Sequence, residues 1–329
     1  MGFETLVRGS VNLPIPDVLV KGLHLGTLVL HLAVMTLFLG LTLFYLRETL
    51  FKDGGEGAPP KLPVWMAFVI NTGVAPLLFS QALYADFIYS SSILMAGWWL
   101  GMLVLLMVAY ALSYVATSTA RSRKARQMAT VILSVLVLFV STVLISNIYL
   151  MNHPGLWQRF SGNIHGWVFA PGGLHLLFKW GHVVLAAMLH AFLFRRIFTK
   201  EEGRGGGLFF GGAIALTAIT GVGLFFFWPQ GSRPELVSGI SALWLPIAST
   251  GVLWGAVLAR QYRTAGIWAV INLGIMVGVS EAARFNVIQP AIRMGTMDYG
   301  SLVMFAISLL VGGGALFWML RLPVRGDDA

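Results

Sequence analysis

Nine windows of about twenty predominantly apolar residues follow one another along the chain, near residues 22–46, 64–89, 93–117, 129–150, 173–194, 207–228, 240–259, 265–282 and 300–320. About that many helical residues cross the hydrocarbon core of a bilayer. Only helices and closed barrels satisfy every backbone polar group there. Windows this long predict helices, so the expected fold class is all-α, a polytopic membrane bundle of about nine transmembrane helices. Composition agrees, with 57% of residues hydrophobic, 11% charged and a mean hydropathy of +0.80. The expected divisions are an outer interfacial segment at 1–21, carrying Pro14 and Pro16, one transmembrane domain at 22–321 and a short cytoplasmic tail at 322–329.

The connections between windows alternate in charge. One set holds Arg47, Lys52 and Lys61, then Arg121, Arg123, Lys124 and Arg126. It continues with Arg195, Arg196, Lys200 and Arg204, then Arg260 and Arg263, then Arg321 and Arg325. These are fifteen of the twenty-two Lys and Arg residues. The positive-inside rule places them in the cytoplasm, which puts the N-terminus outside and the C-terminus inside. The expected location is a bacterial-type inner membrane, with the lipid bilayer as first partner. The net charge of +9 is thereby explained by orientation, and no nucleic acid is expected. The first apolar run is too long for a cleavable signal peptide. The absence of cysteine excludes disulfides, iron–sulfur clusters, thiolate zinc sites and covalent c-type haem.

Against this apolar background four histidines stand out. His31 and His182 lie within membrane-length runs, and His24 and His175 precede them by seven residues each. Seven residues are two helical turns, about 10 Å of rise, so each pair shares a helix face. Ionisable groups inside a membrane are costly and mark functional sites. Neutral imidazole is the commonest protein ligand for metals, and two helices offering stacked histidines meet the needs of a b-type haem. The alternative for each ring is a structural bond to a neighbouring carbonyl. His190 lies deeper and reads as structural, while His153 and His165 fall in a long outer loop with Trp157 and Trp167.

The local sequences narrow this choice. His31-Leu-Ala-Val-Met-Thr-Leu-Phe-Leu-Gly40 resembles the first helix of cytochrome bd quinol oxidase subunit I. Asn147-Ile-Tyr-Leu-Met-Asn-His153-Pro154-Gly155 is similar to that family's Asn-x-x-Met-x-His-Pro-x-Gly segment. Phe178-Lys179-Trp180-Gly181-His182 resembles its helix bearing the low-spin haem histidine, and Glu281-Ala-Ala-Arg284 its Glu-x-Gly-Arg motif. The resemblance runs from about residue 20 to residue 300. It implies His31 as an axial ligand of one haem and His182 as ligand of the low-spin haem that takes electrons from quinol. It also implies Glu281 as carboxylate ligand or neighbour of a high-spin haem, with Arg284 beside a propionate.

Departures from the family pattern redirect the functional expectation. The position of the family's methionine ligand is Ser249, and Gly97 to Ala116 contains no acid for proton delivery. Phe285-Asn286-Val287 replaces Gln-Pro-Trp, and the loop from Pro229 to Gly239 is short for a quinol site. His24 and His175 can supply the missing sixth ligands. The expected function is a subunit with two or three b haems that passes electrons between the quinol pool and a periplasmic redox partner, such as a multihaem cytochrome c. The alternatives are a bd-type oxidase reducing oxygen, and a cofactor-free anchor or transporter with structural histidines.

Overall fold

The computed structural model describes residues 11–13, 17–51, 61–170, 172–198, 206–226, 235–237, 240–241, 244–288 and 292–294, with part of 303–314. Eight long helices follow in chain order: α1 Asp17–Phe51, α2 Leu62–Leu94, α3 Ala96–Thr117, α4 Arg123–Asn152, α6 Gly173–Phe198, α7 Gly206–Phe226, α8 Trp244–Leu258 and α9 Tyr262–Val287. A four-residue helix, α5 (Trp157–Phe160), interrupts the loop between α4 and α6. Each long helix overlaps one of the first eight expected windows. The ninth window, 300–320, lies largely outside the described residues. Six of the eight, α1–α4, α6 and α9, are long and apolar enough to cross a membrane, whereas the described parts of α7 and α8 are shorter apolar helices.

Two boundaries differ from expectation. Helix α1 begins at Asp17, inside the segment read as interfacial, because Val20 is buried against Leu83 and Tyr84 of α2. Burying an apolar face there extends the helix beyond the bilayer-length core. The seventh window opens with a strand, β3 (Ile240–Ser241), antiparallel to β2 (Glu235–Val237), before α8 starts at Trp244. A second pairing is parallel and long-range, joining β1 (Val11–Leu13) to β4 (Ile292–Met294).

Small residues set the central packing. An added Cβ at Gly40 of α1 would overlap the carbonyl of Ala187 and lie 2.6 Å from Cβ of Ala191 on α6. Transmembrane helices associate through such close approach, since lipid supplies no hydrophobic drive between them. Phe38, Leu39, Tyr45, Met66 and Leu133 complete this core from α1, α2 and α4. The opposite faces are apolar and exposed, as Leu100, Leu103 and Met107 of α3 illustrate, the pattern of a surface solvated by lipid.

The end carrying the basic loops is tied together by polar bonds. Arg195 pairs with Glu48 at 2.6 Å, and Tyr45 donates to the Ala116 carbonyl at 3.0 Å. At the other end the loop between α4 and α6 packs on α3 and α4. Trp98 meets Trp167 and Phe169 with ring centroids 4.7 Å apart in each case, and the Ala170 amide donates to Ser146 Oγ at 2.7 Å. Gly166 has φ +64°, and an added Cβ there would lie 2.6 Å from the Ala96 and Gly97 amide nitrogens. Only glycine fits that contact.

Candidate functional site

Two centres emerge, one cavity and one buried ionic network. The cavity, about 460 Å³, lies among α6, α7, α8 and α9 with α1 at one edge. Its size is that of a cofactor or ligand site. Helix α6 contributes His175, Lys179 and His182, which the helical period aligns on one face. Met35 of α1 and Met276 of α9 are also in the wall, as are Thr250 of α8 and Ser280 of α9. The rest of the lining is mostly aliphatic and aromatic.

His182 is oriented by α7. Its Nδ1 donates to the Thr217 carbonyl at 3.0 Å, with Thr220 Oγ1 at 3.2 Å. A carbonyl only accepts, so the proton is on Nδ1 and the lone pair is on Nε2. Metal-ligating histidines are held in this way by a bond from the other ring nitrogen. Gly221 lets α7 approach, since a Cβ there would stand 3.3 Å from His182 Cε1. His175 lies beside Tyr149, with ring centroids 5.6 Å apart. Tyr149 also stacks on His153 at 4.0 Å, and His153 Nδ1 donates to the Tyr149 carbonyl at 2.7 Å. Burial, above all, holds the His153 imidazole below its ordinary pKa; the bond to Tyr149 opposes this and the Lys179 charge adds to it.

His31 turns to another neighbour. Its Nδ1 lies 3.4 Å from Thr72 Oγ1 on α2, and a Cβ at Gly73 would approach its Cε1 to 2.8 Å. It is not in the wall of the cavity that holds His175 and His182. His190, expected to be structural, lies 2.8 Å from Thr36 Oγ1, which donates to the Leu32 carbonyl. Its Nδ1 is therefore the donor, and the pair links α6 to α1.

The ionic network gathers around Glu281 of α9. One carboxylate oxygen accepts from Arg284. The other accepts from Tyr84 of α2 at 2.9 Å and lies 3.3 Å from His24 Nε2. Tyr84 is fully buried, His24 is 1% exposed, Glu281 5% and Arg284 8%. Tyr84 stands where α2 departs from helical geometry, with φ −121° and ψ 22°. The Arg284 guanidinium also lies 5.6 Å from the Tyr84 ring centroid. Buried charges are tolerated when they are paired and hydrogen-bonded, and both carboxylate oxygens are engaged here. Of the four expected histidines, His24 thus belongs to this network, His31 to α2, and His175 and His182 to the cavity.

Lys179, Met276 and Tyr84 were absent from the expected site. Lys179 had a readable signal, since it lies four residues after His175 and three before His182 and so shares their face. Tyr84 had none, because its partner is 197 positions away. Among the described residues no group of three or more His, Asp or Glu side chains converges as a metal site. A haem would need only one or two protein ligands, and the side chains of that type in the cavity wall are His175, His182, Met35 and Met276. No family model matches the chain, and no curated protein matches it significantly.

Proposed function

We propose that the chain is a b-type haem membrane subunit that carries electrons between the quinol pool and a redox partner on the outer side. The observation that supports it best is His182, back-bonded through Nδ1 to Thr217 and lining a largely apolar cavity. The residues fit the group. His182 would hold the iron of such a group, Met35 and Met276 offer thioethers in the same wall, and Lys179 would face a carboxylate substituent. A haem held there supplies one-electron carriage. The chain's own contribution is to fix the imidazole tautomer, to exclude water with aliphatic side chains and to hold compensating charge.

Glu281 favours electron relay over oxygen reduction. Its carboxylate is committed to Arg284, Tyr84 and His24, which leaves it poorly placed to bind iron. The nine-span count, the outside N-terminus and the bd-like relationship belong to the same proposal. A reduced-minus-oxidised optical spectrum of the purified protein tests it. A sharp b-type band is expected, together with loss of at least one haem equivalent in His182→Ala. A preparation with no haem signal refutes the proposal, and a large carbon monoxide shift in the reduced protein replaces relay with an open, oxygen-reactive haem.

A further inference from the structure

At the basic end of the bundle α8 stops and α9 begins across a tight turn. The Arg260 amide donates to the Val257 carbonyl and the Gln261 amide to the Ala256 carbonyl, both at 2.9 Å. This pair of bonds defines a helix stop whose central residue takes left-handed backbone, a place usually filled by glycine. Here it is Arg260, with φ +56°, the one non-glycine residue at positive φ among the described residues. A Cβ in that conformation is strained, and glycine is free of the strain. A side chain kept in spite of the backbone points to a use for that side chain.

The use is written in its surroundings. Arg260 lines a pocket of about 150 Å³ with Phe192, Gly211, Trp254, Leu258 and Tyr262. The Arg196 guanidinium lies 5.6 Å from the Phe192 ring centroid and 5.5 Å from that of Tyr262. A second guanidinium therefore stacks on two residues that wall the pocket, although Arg196 itself is not part of the lining. Trp254 and Leu258 are 47% and 69% exposed on the apolar exterior of the bundle. A guanidinium suits a phosphate, and basic pockets between helices on the cytoplasmic side receive anionic headgroups. We propose that this pocket binds the headgroup of an anionic phospholipid, with Arg260 at the phosphate, Arg196 adding positive charge from beside Phe192 and Tyr262, and Trp254 and Leu258 against the adjoining acyl chain. An inorganic phosphate shares the charge and lacks the chain.

The test uses the full-length protein in non-ionic detergent, with thermal unfolding followed by tryptophan fluorescence. Short-chain phosphatidylglycerol, the matching phosphatidylcholine and inorganic phosphate are titrated separately. Phosphatidylglycerol is expected to raise Tm while the other two leave it unchanged. Arg260→Gly relieves the backbone, so its Tm without lipid is expected to equal or exceed that of the wild type. Its response is expected to need about tenfold more phosphatidylglycerol, the loss of one charge-assisted contact. Arg260→Lys is expected to respond more strongly than Arg260→Gly, and Arg196→Gln is expected to weaken the response. Equal shifts with phosphatidylcholine or with phosphate alone overturn the proposal. So does an Arg260→Gly protein that keeps the wild-type response, or one that unfolds below the wild type without lipid.

Discussion

Glutamine at position 281 removes a negative charge and leaves the side chain nearly unchanged in shape. In the native network that charge faces the Arg284 guanidinium, the Tyr84 hydroxyl at 2.9 Å and His24 Nε2 at 3.3 Å. Since Glu281 and Arg284 are 5% and 8% exposed, water cannot take over the stranded cation. Breaking a buried ion pair on one side costs about 3–5 kcal/mol. Tyr84→Phe keeps the ring and removes one bond to a charged acceptor, which costs about 1.5–3 kcal/mol. In Glu281→Gln the tyrosine has already lost its charged acceptor, so the double variant should fall short of the sum by about 1–2 kcal/mol. The assay is unfolding in mixed micelles titrated with a denaturing detergent, read by tryptophan fluorescence for the four proteins of the cycle. A Glu281→Gln protein within about 1 kcal/mol of the wild type, the range of a solvated pair, refutes the argument. Haem content sharpens it, because Glu281→Gln is expected to keep its full complement. Loss of one haem equivalent with wild-type stability would reassign the carboxylate to iron.

Three further outcomes are expected. Gly40→Ala should cost at least about 1–3 kcal/mol by overpacking, since its Cβ meets the Ala187 backbone, and Gly40→Leu should abolish the folded yield; a neutral Gly40→Ala would show that α1 and α6 separate freely. Thr217 binds His182 through its carbonyl, so Thr217→Val should retain haem while His182→Ala loses it, as judged by pyridine haemochrome content. His153 has a lowered pKa in the folded chain, so below its ordinary value near 6.5 the unfolded state takes up a proton first. Stability from this group is complete above about pH 6.5 and is lost as the pH falls through the folded value. Tm measured against pH should therefore fall less steeply on the acid side in His153→Gln, and identical profiles would remove His153 from the account.

The spans were legible in the sequence because membrane helices satisfy their hydrogen bonds locally. An apolar window therefore names its own structure, as it did for α1 to α4. The helical period likewise placed His175 and His182 on one face. Sequence pattern could not tell which neighbour each face would meet. His24 and His31 share a face of α1, yet one joins α9 and Tyr84 of α2 while the other meets Gly73 and Thr72 of α2. The choice depends on where small residues such as Gly40, Gly73 and Gly221 let backbones approach, and on the break in α2 at Tyr84. Local hydrogen bonding and hydropathy thus determined the helices and their costly polar residues. Long-range packing alone decided that Glu281 would be enclosed by Tyr84, Arg284 and His24, and that His182 would stand at a cavity.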